Sequence, residues 1–289
     1  MQWKTNKLVD LKNQYIEELL PIYGKKETNA MIFMLIERYF NLSRSDLAIK
    51  PEHRLSESEI LRLHFAVKDL KNHRPIQYIL KHVDFLNTKI MVDESVLIPR
   101  PETEEFVQLV IDKEKDKENL QVLDIGTGSG CIAISLAKNL KNAKVTGIDV
   151  SEEALKTASK NIFVNEVMVN FERFNILNPD DGDDLGQFDI IVSNPPYVTK
   201  EDKRLMQKNV LKHEPHAALF VEGEDPLLFY KAVLYFADDH LQAAGRIYFE
   251  INEKYGKEVA TLLENGNYQS VELIKDIHGK DRFISGVKG

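Results

Sequence analysis

The chain has 289 residues, 43% hydrophobic and 29% charged, with a formal net charge of −8. That length accommodates two domains with sizeable cores, and no apolar run approaches the roughly 20 residues of a membrane-spanning helix, so no membrane association is expected. A lone cysteine, Cys131, excludes an internal disulfide, and the start MQWKTNKLVDLKN has no apolar h-region, so a reducing, cytoplasmic setting is expected.

The charge is uneven. Residues 1–82 hold 14 Lys/Arg against 10 Asp/Glu, a net +4, and four of the eight histidines; residues 83–289 hold 24 against 36, a net −12. The basic excess suits either a solvated surface or a face for an acidic or RNA-associated partner. The acidic remainder lacks the footprint of a duplex-DNA binder, and no direct DNA binding is expected.

In chain order, the first 80 or so residues read as helices. Ala30 to Phe40 is apolar almost all round, as in the central helix of a small bundle. Ser56 with Glu59 forms a capping-box pattern, followed by Ile60, Leu63, Val67 and Leu70 at helical spacing, and His73-Arg74-Pro75 predicts a stop. Residues 76–100 alternate more like strands, with Asn87 and Asp93-Glu94 as turn candidates, which predicts a β-hairpin between two domains.

From about residue 101 strands and helices alternate. Strands are predicted at 121–125, 144–150, 169–173, 188–193 and 245–251, with helices at 131–140, 151–164, 226–240 and 254–264. This pattern implies an α/β fold with a mostly parallel sheet covered on both faces. Two last runs, near 270–275 and 282–287, have no room for a helix between them and should pair antiparallel. KEKDKE (113–118) and DDGDD (180–184) read as charged loops, and the latter lacks the later glutamate of a calcium site.

Directly after the strand QVLDI stand Gly126, Thr127, Gly128, Ser129 and Gly130, and then a helix. Glycines there let the chain turn tightly and let a ligand approach free N–H groups at the helix N-terminus. The third glycine comes one residue too early for the dinucleotide fingerprint G-x-G-x-x-G. Asp149 ends the second strand about 20 residues on, where an acid accepts hydrogen bonds from ribose hydroxyls. Such a unit suits an adenosine-containing ligand.

Asp124-x-Gly-x-Gly-x-Gly with Asp149 resembles the cofactor motif of class I S-adenosylmethionine-dependent methyltransferases. The resemblance implies adenine against the turn after strand three, where either Arg173 or Phe174 takes the stacking role. Cys131 is read as a small hydrophobe of the helix.

The fourth parallel strand ends in IVSNPPY, residues 191–197. Its place beside the first strand, at the carboxyl edge of the sheet, is the topological switch point where ligands bind. A planar –NH₂ conjugated to a carbonyl or a ring is a poor nucleophile. Held by the side-chain oxygen of Asn194 and the carbonyl of Pro195, its nitrogen can pyramidalise toward a methyl donor. Pro195 and Pro196 fix φ and remove competing donors, and the Tyr197 ring can cover the planar group. Asn-Pro-Pro-Tyr resembles the signature of N-methyltransferases acting on amide or exocyclic amino nitrogens, which leaves glutamine amides and adenine open.

LIPRPETE (97–104), HEPHAALFVEGEDPL (213–227), EINEKYG with DIHGKDRFISG, and the helical N-terminal part with RPIQYIL together resemble the protein-(glutamine-N5) methyltransferase family of peptide chain release factors (PrmC/HemK). The resemblance implies a class I methyltransferase (Rossmann-like) seven-stranded sheet, with a helical substrate-recognition domain over 1–82, a hairpin linker over 83–100 and a catalytic domain over 101–289. It also implies S-adenosyl-L-methionine as cofactor, no metal, and the glutamine of the GGQ loop of class I release factors as substrate. The alternatives are an adenine-N6 DNA or RNA methyltransferase and a non-enzymatic cofactor-binding scaffold. Arg100, Glu102 and Glu104 either contact substrate or flank a linker stiffened by Pro99 and Pro101. His213 and His216 bracket Glu214-Pro215 in a loop-like pattern that does not suit a metal pair. Two positions depart from the family pattern: Lys81, where a glycine is usual, and Val221-Glu222, where a glycine pair is common.

Overall fold

The structure, a computed structural model, describes residues 5–178, 185–199, 202–206, 208–221, 223 and 225–289. The DDGDD run and Glu222 lie outside these. The chain forms two compact units, Met1–Lys81 with Lys208–His213, and His82–Gln207 with Glu214–Gly289.

The first unit is helical: α1 (Leu8–Phe40), α2 (Arg44–Ile49), α3 (Glu57–Lys71) and α4 (Ile76–Leu80). α1 is broken at Gly24, whose φ of 71° and ψ of 173° are not helical, three residues after Pro21. α3 opens on the anticipated box, with Ser56 Oγ accepting from the Glu59 N–H and the Glu59 carboxylate accepting from the Ser56 N–H. Its buried face meets Leu11, Ile32, Leu35 and Ile36 of α1, and each such side chain contributes roughly 1.5–3 kcal/mol. Ile76 to Leu80 is a helical turn, against the expectation of strand. Pro75 sits at its start, where a missing N–H costs nothing, and Ile76 and Leu80, four apart, are both buried. Lys81 closes it in the left-handed region, φ 65°, the conformation for which glycine is best suited. α8 (Lys208–His213) also belongs to this unit, with His213 Nε2 3.1 Å from the Asn72 carbonyl.

The second unit begins with a hairpin, β1 (His82–Phe85) and β2 (Thr88–Met91), shorter than anticipated. Val92, Val96 and Ile98 are buried but lie outside strands. Pro101 then initiates α5 (Pro101–Glu114) at its first turn and does not prolong a linker. Lys113 and Glu114 are therefore helical, not part of a charged loop.

The strands β3 (Gln121–Ile125), β4 (Lys144–Asp149), β5 (Val169–Arg173), β6 (Phe188–Ser193), β7 (Leu241–Glu250), β8 (Tyr268–Lys275) and β9 (Asp281–Lys288) form one seven-stranded sheet in the order β5-β4-β3-β6-β7-β9-β8. β5, β4, β3, β6 and β7 run parallel, and β9 pairs antiparallel with β7 and β8. The helices α6 (Cys131–Asn139), α7 (Glu152–Asn165), α9 (Leu228–His240) and α10 (Gly256–Asn265) complete the α/β unit. β7 starts earlier than its alternation suggested because a bulge near Ala244, φ 60°, interrupts the period. The chain order reverses between β3 and β6, and Ile125 is in register with Ser193. The glycine loop and Asn194 thus leave adjacent strand ends, at the switch point.

Candidate active site

The turn from β3 to α6 is built by three glycines in the left-handed region, Gly126 (φ 75°), Gly128 (φ 55°) and Gly130 (φ 79°). A side chain at Gly130 would meet the Phe171 ring at 2.9 Å, whereas Gly126 has nothing within 4 Å on its outer face. The Gly126 and Thr127 N–H groups donate to the Ile148 carbonyl, and the Gly128 N–H donates to Asp149 Oδ2 over 2.9 Å. Asp149 also accepts from the Ser151 N–H, so loop and acid form one hydrogen-bonded frame. Burial holds the Asp149 carboxyl above its usual range.

Asp124 is fully buried beneath this loop. Its Oδ2 accepts from Thr127 Oγ1 (2.6 Å) and the Ala133 N–H (3.2 Å), while Oδ1 has no partner. Burial pushes its pKa up to about 7. Cys131 is buried too, its thiol pushed up to about 12, so it packs as a hydrophobe and not as a nucleophile. After β5, Arg173 is exposed and pairs with Glu152 at 2.7 Å, whereas Phe174 is buried against the Phe236 ring.

At the neighbouring strand ends, Ser193 of β6 is in register with Phe249 of β7, which sets Asn194 beside Glu250. Asn194 Nδ2 donates to Glu250 Oε2 over 2.9 Å and to Thr103 Oγ1 over 3.3 Å. The Thr103 hydroxyl donates to the same carboxylate oxygen (2.8 Å), and the Tyr197 hydroxyl to Oε1 (3.1 Å). Glu250 is 1% exposed, and burial raises its pKa to about 7 against the pull of Thr103, Tyr197 and Arg282. Among the described residues no side-chain or backbone donor meets Asn194 Oδ1.

Asn194, Pro195, Tyr197, Glu250, Leu97 and Arg100 line a cavity of about 60 Å³, which is room for about two water molecules. Arg100 donates to Glu214 Oε1 at 2.5 Å, and Glu214, itself buried, accepts from the Ile98 N–H. Of the PETE segment it is Thr103 that enters the network; Glu102 and Glu104 stay half-buried on the first turn of α5. Glu250 and Thr103 were not among the anticipated residues. Both lie inside segments quoted for the family resemblance, Glu250 opening EINEKYG and Thr103 within LIPRPETE, but only the β6/β7 register and the start of α5 bring them to Asn194.

The family description "Methyltransferase small domain" matches residues 105–233, and "PrmC N-terminal domain" matches residues 14–80. The release factor glutamine methyltransferase of Flavobacterium psychrophilum is 48% identical over 278 residues, 94% of this chain and 96% of that one. The chain belongs to the release factor glutamine methyltransferase family. The family member of Bacteroides thetaiotaomicron is 42% identical over 269 residues, 93% of this chain and 96% of its own. In fold, the chain resembles a solved methyltransferase: a crystal structure of a methyltransferase from Pyrococcus furiosus aligns with a TM-score of 0.52 at 21% identity, covering 81% of this chain and 100% of that one.

Proposed function

We propose that this release factor glutamine methyltransferase family member transfers a methyl group from S-adenosylmethionine to the side-chain amide nitrogen of the glutamine in the GGQ loop of class I peptide chain release factors. The donor, when bound, supplies an electrophilic methyl group on a sulfonium sulfur. Its proposed holders are the loop Gly126 to Gly130, Asp149 for the ribose hydroxyls, and the turn with Arg173 and Phe174 for the base. The open faces of Gly126 and Gly128, the unpartnered buried Oδ1 of Asp124 and the α6 N-terminus support that fit.

The observation that carries the reading is the orientation of Asn194. Glu250 is acceptor-only when ionised, so the carboxamide turns its Nδ2 inward and its other end, Oδ1, is an acceptor. Asn194 Oδ1 and the Pro195 carbonyl then each take one N–H of the substrate amide, drawing the nitrogen lone pair out of conjugation and toward the donor. Pro196 stiffens the turn, and the Tyr197 ring, anchored through its hydroxyl to Glu250, covers the amide plane.

The first unit, with its net positive charge, is proposed to select the release factor, and a cytoplasmic setting is proposed for the reaction. Among the described residues no helix is long and apolar enough to cross a membrane. The test is incubation with labelled S-adenosylmethionine and either a purified class I release factor or adenine-containing DNA. Label on the glutamine of the GGQ loop is expected; label on DNA alone rejects the reading.

A further inference from the structure

One buried ionisable group touches Asn194 and Tyr197 but takes no part in the methyl transfer itself. Glu250 is a carboxylate with 1% exposure at the end of β7, receiving hydrogen bonds from Asn194 and Tyr197 of the turn after β6 and from Thr103 of α5. Burying a charge is costly, and a hydrophobic residue there would satisfy the core more cheaply. What a hydrophobe cannot do is discriminate the two ends of a carboxamide. An Asn side chain is nearly symmetric in shape, and without a neighbour that only accepts, its amide turns over freely and presents an N–H donor to the cavity about as readily as an oxygen.

We propose that Glu250, assisted by Thr103, is a positioning residue that fixes the Asn194 carboxamide with its oxygen toward the substrate, acting only through Asn194 and not on the reacting atoms. The inference rests on the reading of Asn194 given above. The proton inventory is consistent: the Thr103 O–H is spent on Glu250 Oε2, so Thr103 Oγ1 has its lone pairs available to Asn194 Nδ2. Both acceptors on that side of Asn194 thus demand its nitrogen. A neutral carboxyl at 250 would carry a donor of its own and weaken that demand. The charged and titratable groups facing Glu250 are Tyr197 and Arg282, with Glu102 and Cys131 contributing charge effects and Tyr230 donating to its backbone carbonyl. Burial raises the Glu250 carboxyl to about 7.

The test uses the full-length enzyme with a release factor and S-adenosylmethionine, both saturating. Glu250→Met keeps the length of the side chain but offers no oxygen to Asn194 Nδ2, whereas a Gln could turn its own oxygen there, so Met removes the acceptor that holds the amide. Expected are a kcat lowered about 10- to 100-fold, a donor Kd within about threefold of wild type, and no acid limb near pH 7, where one is expected for wild-type kcat. A core carboxylate with only a packing role predicts a stability change without that change in pH profile. Wild-type kcat in Glu250→Met, or an acid limb that persists in it, overturns the proposal while leaving the Asn194 reading intact, provided Asn194→Ala is inactive. Normal turnover by Asn194→Ala overturns both. Should Glu250→Met fail to fold, Thr103→Val decides: it removes one of the two acceptors for Asn194 and is expected to lower kcat roughly three- to tenfold at unchanged donor affinity, and a wild-type kcat there overturns the proposal.

Discussion

Asn161 of α7 donates its side-chain Nδ2 to the backbone carbonyl of Ser129 in the glycine loop, over 2.9 Å. The same fully buried side chain pairs with hairpin strand β2 as a peptide group would, accepting from the Met91 N–H at 2.7 Å and donating to the Met91 carbonyl at 3.0 Å. One turn later Asn165 does the same for Lys89. A hairpin with few ladder bonds of its own is thus fastened to the loop proposed to hold the donor. Asn161→Ala leaves three backbone groups unpaired and should cost roughly 2–4 kcal/mol of unfolding free energy, with weaker donor binding. Denaturant titration and calorimetry check this; unchanged stability means the clamp carries no weight.

Gly147, in the middle of β4, has a role that neither composition nor motif announces. A Cβ there would stand 2.6 Å from the Phe171 ring and 2.8 Å from Thr127 Oγ1. Gly147→Ala therefore pushes on the hydroxyl that donates to Asp124. The expected cost is about 1–3 kcal/mol of stability, together with a smaller thermal shift on adding S-adenosylmethionine than wild type shows. Thermal unfolding with and without the donor measures both.

Much of this was legible in the sequence, and the exceptions have physical causes. The Ser56/Glu59 box, the β3-loop-α6 turn and the Ser151 cap depend on short-range hydrogen bonds, so spacing alone predicts them. Ile76 to Leu80 misled because β-branched and aromatic residues favour strands locally, while burial of Ile76 and Leu80 on one face decided for a helix. Pro101 was read as stiffening a linker, although proline at a first helical position is equally common. Glu250 and Asn194 lie 56 residues apart, and only strand pairing in the folded sheet makes them neighbours. Thr103 was overshadowed by the charges on either side of it.

Asp124 should leave a signature in the pH dependence of stability. Burial raises its pKa from 3.8 to about 7, so in this window the folded state holds a proton that the unfolded chain has released. Its contribution is fully present below about pH 4 and is lost as pH rises through about 7. Asp124→Asn stays neutral throughout. The stability of this variant relative to wild type, by urea titration without donor, should therefore improve steadily from pH 4 to 7 and then level off. A difference independent of pH contradicts the assignment.

The central claim is that Asn194 acts on the reacting nitrogen and not on donor binding. Kinetics of Asn194→Ala on an intact release factor, paired with calorimetric titration of S-adenosylmethionine, tests it most directly. The expected result is a kcat reduced by about 100-fold or more with a donor Kd within about threefold of wild type, the pattern of an interaction realised in the transition state. Near-normal turnover, or a loss of activity explained entirely by weakened donor binding, would contradict it.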